Sequence, residues 1–368
     1  MRGLAALAVV LYHYTTIYES HFGAYPSRPL FSLPDGHFGV ELFFCISGFV
    51  ILGTIERTSD LRHFAIARFA RLYPAYLVCA LLSLAVLQWA GLNFPPMTAK
   101  AIAINATMLS SFAGTPLIDP SYWTLSYEVL FYAGAAVLSW LLGANRLEIP
   151  CLLWLASSFV GHLFPWFAHH HRLYVLLNVE YANLFVLGMM LYYVSQGSRS
   201  AKGTFVPRNK VRNSRGLAVP VLRVFPESRL SIPTLCTAFL MTSFPPEFNR
   251  GNMPQPVYVA MIALFCASIW LVSRTNGKYL DIRPLVFLGE ISYSLYLVHQ
   301  VLGFAVIRAL LRLGATANIA IISTICLVVG LAFLLRSFVE KPAERWIKNL
   351  AKHTPRLAGE RYKVAASA

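Results

Sequence analysis

Apolar residues in this chain fall into long runs, unlike the short alternating stretches of a soluble protein. The hydrocarbon core of a bilayer is about 30 Å thick, so a helix needs roughly 20 apolar residues to cross it. Ten runs, bounded by charged residues or by Pro and Gly clusters, approach this length. They lie near Gly3–Tyr18, Phe38–Ile55, Leu72–Gly91, Tyr122–Leu142, Ile149–Phe167, Tyr174–Ser195, Ser231–Ser243, Gln255–Ser273, Leu285–Ile307 and Thr316–Ser337. The pattern predicts an all-α polytopic membrane protein with about ten transmembrane helices, and Ala99–Ala113 is a candidate for one further interfacial helix.

Composition agrees with this prediction. Of the 368 residues, 57% are hydrophobic and 13% are charged, which is too apolar for a soluble domain of this length. The six cysteines lie singly within apolar runs and have no metal-ligand spacing, so we interpret them as packing residues. The consecutive histidines His169, His170 and His171 would point in different directions on a helix and cannot easily share a metal ion. We therefore expect no metal.

The positive charge is explained by membrane topology. Lys and Arg number 31 against 16 acidic residues, a net charge of +15. If the N-terminus is cytoplasmic and ten helices alternate, 25 of these basic residues fall on the cytoplasmic side and six outside. This asymmetry favours both termini in the cytoplasm. It also indicates that the basic residues face a lipid bilayer, so we expect no nucleic acid partner. We expect a transmembrane domain over 1–340 and a basic cytoplasmic tail over 341–368, with Gln196–Arg229 as a solvated or headgroup-facing loop.

Four ionisable residues interrupt the predicted spans. They are His13, Glu41, Glu128 and His299. Each costs roughly 2.5 to 3.5 kcal/mol on insertion scales, so each is a functional candidate if it faces the bundle interior. The helical rise puts His13 about 16 Å from Arg2, and all four residues could share one layer of the membrane. An imidazole beside a carboxylate suits general-base work on a hydroxyl, whereas a helix–helix hydrogen bond or a structural ion pair is the alternative.

A second cluster lies at the predicted cytoplasmic ends. Arg62, Arg68 and Arg71 precede the third span. Guanidinium groups pair bidentately with phosphate oxygens, so this cluster suits a phosphate-bearing ligand from the cytosol. The alternative is the ordinary excess of positive charge on that side of the membrane.

Six blocks of sequence narrow the interpretation further. They are MRGLAALAVVLYHY at the start, GVELFFCISGFVI at Gly39–Ile51, RFARLYPAY at Arg68–Tyr76, WTLSYEVLFY at Trp123–Tyr132, LGEISYSLYLVHQ at Leu288–Gln300 and EKP at Glu340–Pro342. In this order they resemble the acyltransferase 3 family of integral membrane acyltransferases, which modify sugars and related hydroxyl compounds. Glu41 stands where that family usually has Asp, and Tyr127 and Val129 also depart from its common pattern.

The resemblance implies a function and a set of site residues. Acyl-CoA, most simply acetyl-CoA, would be the acyl donor, with its phosphates held near Arg2, Arg68 and Arg71. His13 would act as general base or carry the acyl group itself, with Glu41 or Glu128 orienting it. We expect Trp123, Ser126, Tyr293 and His299 to contact substrate. The acceptor would be a cell-surface polysaccharide or lipid-linked sugar, and the location a bacterial inner (cytoplasmic) membrane.

Other functions stay open at this point. A proton-coupled transporter or flippase could use His13, Glu128 and His299 as a relay, although the spans show no inverted repeat. Within the enzyme interpretation, the acceptor could instead be a small hydroxylated metabolite. A scaffold without turnover is disfavoured, because buried charges in a membrane are costly.

Overall fold

The computed structural model describes residues 1–58, 60–92, 94–142, 147–164, 166, 169–200, 210–212, 218–220, 230–244, 254–275 and 277–353. Helices account for nearly all of the regular structure within these ranges. The predicted loop at 196–229 and the predicted tail at 341–368 fall partly outside them.

The helices follow the order of the predicted spans, with several short additions. They are α1 (Arg2–Tyr12), α2 (Tyr18–Phe22), α3 (Phe38–Arg57), α4 (Leu61–Trp89), α5 (Ala99–Asn105), α6 (Ser110–Ala113), α7 (Trp123–Leu142), α8 (Glu148–Leu163), α9 (His171–Leu176), α10 (Ala182–Ser200), α11 (Ser231–Leu240), α12 (Gln255–Arg274), α13 (Arg283–Val298), α14 (Gln300–Arg312), α15 (Ala317–Leu335) and α16 (Lys341–His353). Strands β1 (Lys210–Arg212) and β2 (Ala218–Pro220) pair antiparallel.

Five helical segments in the described ranges are long and apolar enough to cross a membrane. They are Pro34–Arg57, Leu61–Trp89, Pro120–Leu142, Gln255–Arg274 and Ala317–Ala351. A sixth is possible if α13 and α14 form one span, although these helices are bent by 75° relative to each other. Glu148–Leu163 and Ser231–Ser243 are shorter apolar helices. The protein is therefore a multi-pass, helical membrane protein, and the full count of ten spans stays a prediction.

Polarity is distributed as expected for a protein surrounded by lipid. Large apolar side chains such as Leu81, Trp140 and Leu153 lie more than half exposed on the outside of the bundle. His299 and Glu340, by contrast, are completely buried. The hydrocarbon core offers no hydrogen-bond partners, so ionisable groups are retained where other protein groups can satisfy them.

Helix α4 begins with a side-chain cap on the polar side of the bundle. The Asp60 carboxylate contacts the His63 imidazole at 2.9 Å and accepts the Arg62 backbone N–H at 3.1 Å. The contact with His63, followed by the one with Arg62, holds the pKa of Asp60 below its usual range. The cap fixes where α4 starts, and so where Arg68 and Arg71 lie along it.

Two glycines allow α3 and α10 to pack with their backbones almost in contact. A Cβ at Gly48 would lie 2.0 Å from the Phe185 carbonyl oxygen, and one at Gly188 would lie 1.9 Å from the Cys45 carbonyl oxygen. Small residues at such a crossing are typical of membrane helix packing, because no side chain separates the two backbones. This close contact fixes α3, the helix that carries Glu41 and Ser47.

Candidate active site

Two cavities meet in the centre of the bundle. The arginine cavity, of about 60 Å³, is lined by residues that include Arg2, Ser47, Arg68, Arg71, Glu128 and Tyr293. The histidine cavity, of about 380 Å³, is lined by residues that include His13, Glu41, Trp123, Tyr127, Glu180 and Gln300. Val40 lines both, so a single side chain marks the boundary between a cavity rich in cations and one rich in aromatic and acidic groups.

A third and wider space adjoins the arginine cavity. This vestibule, of about 740 Å³, is lined by residues that include Met1, Arg2, Arg57, Tyr192, Gln196 and Asp281. Arg2 lines both the vestibule and the arginine cavity. The three spaces therefore follow one another, with Arg2 at the first boundary and Val40 at the second.

His13 lies where α1 changes from α-helical to π-helical winding, in the turn His13–Ile17. Single π turns inside α-helices often occur at functional sites. The His13 Nδ1 atom lies 2.8 Å from the Val9 carbonyl oxygen. A carbonyl oxygen can only accept, so Nδ1 carries the hydrogen and the lone pair of the neutral ring lies on Nε2.

His299 contacts His13 directly. Its Nδ1 lies 2.7 Å from the Tyr296 carbonyl oxygen and therefore donates, which leaves Nε2 as an acceptor. That Nε2 lies 3.3 Å from His13 Nδ1, and the two rings meet edge to face with centroids 4.8 Å apart. The two tautomers therefore allow one hydrogen bond between the rings, which His13 Nδ1–H donates to His299 Nε2. Within the described chain His299 lines neither cavity, so its contact is with His13 and not with the space that a substrate would fill.

The two predicted carboxylates occupy different cavities. Trp123 and Tyr127 lie four residues apart, on the face of α7 that lines the histidine cavity. Glu128 is one residue further, about 100° around the helix, and lines the arginine cavity. Its Oε1 accepts from Ser47 Oγ at 3.1 Å and from the Tyr132 hydroxyl. Of the two carboxylates predicted to orient His13, only Glu41 shares its cavity, and His13 Nδ1–H donates to the Val9 carbonyl and to His299 Nε2.

The three predicted phosphate-binding arginines have different surroundings. The Nε atoms of Arg2 and Arg68 are buried and have no hydrogen-bond partner in the described structure. Arg71 instead forms an ion pair at 3.0 Å with Glu340, which also pairs with Arg336 at 2.6 Å. Buried donors are almost always satisfied, so the Nε–H groups of Arg2 and Arg68, which both line the arginine cavity, are open to an acceptor placed in it.

The other residues predicted to contact substrate lie in three different places. Trp123 lines the histidine cavity and Tyr293 the arginine cavity, where its hydroxyl donates to the Leu72 carbonyl at 2.9 Å. Ser126 lines neither cavity. Its hydroxyl donates to the Met108 carbonyl at 2.8 Å and accepts the Ser111 N–H at 3.2 Å, so it holds the segment before α7. This placement gives no support to a substrate contact at Ser126.

Two fully buried acids, Asp119 and Glu340, are not among the site residues predicted from the sequence. Asp119 precedes the fourth predicted span by three residues, so a search restricted to spans passes over it. Glu340 belongs to the EKP block, but its role as the ion partner of Arg71 depends on a contact between distant helices. In the described part of the chain, no three His, Cys, Asp or Glu side chains converge as a metal site.

Comparisons with known proteins find an acyltransferase family model and several acetyltransferases. A family model for an acyltransferase domain, acyltransferase 3, matches residues 1–337. A putative acetyltransferase, ORF330, from Acidianus two-tailed virus is 22% identical over 81% of this chain and 80% of its own length. The peptidoglycan O-acetyltransferase OatA of Listeria monocytogenes is 25% identical over 88% of this chain and 53% of its own.

A further relative is the O-acetyltransferase OatA of Staphylococcus aureus, 25% identical over 81% of this chain and 49% of its own length. The chain thus spans about half the length of the two OatA proteins. No solved structure matches the chain.

Proposed function

Since this chain belongs to the acyltransferase 3 family and is an acyltransferase, we propose that it transfers an acetyl group from cytosolic acetyl-CoA to a hydroxyl of a cell-surface polysaccharide or lipid-linked sugar. The observation that carries the proposal is the adjacency of the arginine and histidine cavities. One offers unpaired cationic donors, and the other offers an imidazole with its lone pair on Nε2. A donor and an acceptor could therefore meet at Val40.

The cavities suit the parts of the donor. The vestibule has room for a nucleotide headgroup, whereas the arginine cavity is narrow and suits a thin chain such as the pantetheine arm. Arg2 and Arg68 would bind phosphate oxygens through their free Nε–H groups. Arg71 would contribute less, because Glu340 already holds it. This order brings the thioester toward Val40 and the histidine cavity.

The tautomer of His13 supports a general-base role. Nε2 would take the proton of the acceptor hydroxyl as its oxygen attacks the thioester carbonyl carbon. The C–S bond then breaks, and the leaving thiolate takes that proton back from Nε2, so the ring ends neutral. Positive charge on the imidazole during the step would be stabilised by the Val9 carbonyl and by His299 Nε2, both of which accept from Nδ1–H.

The histidine cavity suits a sugar. Trp123, Tyr127 and Tyr181 present aromatic surface, and Glu41 and Gln300 add polar groups. A sugar ring has apolar C–H faces and hydroxyl edges, so it fits a pocket of this mixed character. The OatA relatives are O-acetyltransferases, and the Listeria protein is a peptidoglycan O-acetyltransferase. These names support a polysaccharide acceptor here.

The proposed reaction also requires a particular membrane topology, which we infer from the distribution of charge. We propose ten spans with both termini in the cytoplasm of a bacterial cell, so that the vestibule opens to cytosolic acetyl-CoA. The support is the excess of basic residues in the loops assigned to the cytoplasmic side. The inner membrane is then the location that gives access to both acetyl-CoA and a surface glycan precursor.

The test is a transfer assay. Membranes containing the wild type, His13→Ala or His162→Ala would receive labelled acetyl-CoA and a glycan extract. His162 is a matched control, because its Nδ1 bonds to the Ser158 carbonyl at 2.8 Å, as His13 bonds to Val9, yet it lines none of the three spaces. We expect label in glycan from the wild type and the control only. Full turnover by His13→Ala would overturn the assigned base, and no transfer by the wild type would overturn the function.

A further inference from the structure

The helix that carries His299 is interrupted at that residue. Helices α13 and α14 meet at an angle of 75°, and His299 is the one residue between them. In an unbroken helix the Val301 N–H would donate to the Leu297 carbonyl. A break in a membrane helix frees such groups, and they must find other partners because lipid supplies none.

Two of the freed groups, the Val301 N–H and the Leu297 carbonyl, are satisfied by one short segment, Asp119–Tyr122. The Val301 N–H donates to Asp119 Oδ2 at 3.1 Å, and the Leu297 carbonyl accepts from the Tyr122 hydroxyl at 2.9 Å. The two halves of the opened backbone hydrogen bond are therefore taken up by residues three positions apart. A helical N-terminus also favours a negative charge, which suits the carboxylate of Asp119 at the start of α14.

Asp119 is itself held firmly. It is completely buried, and its Oδ1 accepts from the Ser121 N–H at 2.9 Å and the Ser121 hydroxyl at 2.6 Å. In the described chain no Lys or Arg pairs with it. A buried carboxylate without a cation is costly, so its retention points to a role for the hydrogen bonds that it makes.

The break determines where the His299 imidazole lies. The His299 carbonyl accepts the Tyr14 hydroxyl at 2.7 Å, which ties the break to the helical run that carries His13. The side chain of His299 contacts His13 as well, because its Nε2 accepts from His13 Nδ1. We propose that Asp119 is a positioning residue for acyl transfer: by holding the helix open at His299, it places the acceptor nitrogen that orients the His13 base.

This inference rests on the acyl transfer proposed above, and its first test uses that reaction. Asp119→Asn keeps the shape but puts an NH₂ group against one of the N–H donors. A displaced catalytic group commonly costs about a hundredfold in rate, so we expect kcat to fall by roughly tenfold to a hundredfold while the KM for acetyl-CoA stays unchanged. Glu148→Gln is the matched control, since Glu148 is a buried carboxylate that accepts from Ser231 at 3.1 Å, away from all three spaces.

A double-mutant cycle separates positioning from general damage. His299→Phe keeps the ring but removes the acceptor nitrogen. If Asp119 acts through His299, Asp119→Asn should lower kcat little further in that background. An equal fold-loss in both backgrounds, or wild-type kcat in Asp119→Asn, would overturn the proposal.

A second measurement does not depend on turnover. Nitrogen chemical shifts of ¹⁵N-histidine-labelled protein in detergent report whether a ring nitrogen accepts a hydrogen bond, with the His299 signal identified by its loss in His299→Phe. The Val9 carbonyl still accepts from His13 Nδ1 in every one of these proteins, so we expect His13 to stay protonated on Nδ1. We expect His299 Nε2 to have the shift of a hydrogen-bonded acceptor in the wild type and Glu148→Gln, and to move toward that of a free imidazole nitrogen in Asp119→Asn. An unchanged His299 signal in Asp119→Asn would overturn the positioning role. A changed signal in a protein that transfers no acetyl group would uphold it and reject the proposed function alone.

Discussion

Adding one methyl group at Gly303 should disturb the site through Tyr14. A Cβ there would lie 2.0 Å from the Tyr14 hydroxyl oxygen, whereas ordinary contact begins at 3.4 Å. Tyr14 is completely buried, so its ring has no open space into which to turn. A retreat by the difference of 1.4 Å would stretch the 2.7 Å bond to the His299 carbonyl beyond hydrogen-bonding range.

The size of the effect follows from three contributions. Overpacking costs about 1–3 kcal/mol, and a stranded buried hydroxyl adds about 1–3 kcal/mol. The better helix propensity of Ala offsets about 1 kcal/mol. We therefore expect Gly303→Ala to lower the free energy of unfolding by roughly 1–5 kcal/mol and to reduce kcat at least about tenfold, because the break at His299 loses an anchor.

The assay compares thermal unfolding in detergent micelles with acetyl transfer for Gly303→Ala and Gly134→Ala. Gly134 lies within α7, and a Cβ added to it would meet nothing within 4 Å, so its substitution should be neutral or mildly stabilising. If Gly303→Ala melts no lower than Gly134→Ala and keeps full turnover, the argued contact between Tyr14 and His299 does not matter for the site.

Three further substitutions test charged residues in α4 and α16. Arg68→Ala should raise the KM for acetyl-CoA several-fold with little change in kcat, since its free Nε–H is assigned to binding; an unchanged KM in a steady-state assay contradicts that role. Arg71→Ala should mainly lower the free energy of unfolding, by about 1–3 kcal/mol in a thermal melt, because Glu340 keeps only Arg336 as a cationic partner within the ion-pair group. Lys341→Ala breaks a half-exposed pair with Glu290 and should change stability by less than about 1 kcal/mol in the same melting experiment.

Much of the site was accessible from residue type and position alone. Arg2 and His13 lie eleven positions apart, which puts a cation and an imidazole on one helical run, and the structure gives each a place beside a cavity. Ionisable residues in apolar runs are costly, which is why His13, Glu41, Glu128 and His299 could be singled out without any structure. The predicted family is confirmed by the match over residues 1–337.

The grouping of these residues required the tertiary structure. A helical period predicts that Tyr127 and Glu128 face different directions, but not which neighbours each direction meets. The structure puts Tyr127 with His13 and Glu128 with the arginines. The sequence predicts that Glu41 or Glu128 orients His13. In the structure Glu41 lines the same cavity as His13 and Glu128 does not, and His13 Nδ1 contacts the Val9 carbonyl and His299, 286 positions away.

The sequence by itself determined that this protein is an apolar, helical membrane protein and that a histidine lies deep in its first apolar run. Both conclusions depend on composition and on the fixed rise of a helix, which are local properties. Only the tertiary structure decided that the ninth predicted span breaks at His299 and that Asp119 and Tyr122 take up the freed backbone groups. No local pattern encodes those bonds, because they join segments about 180 residues apart and form only when the helices pack.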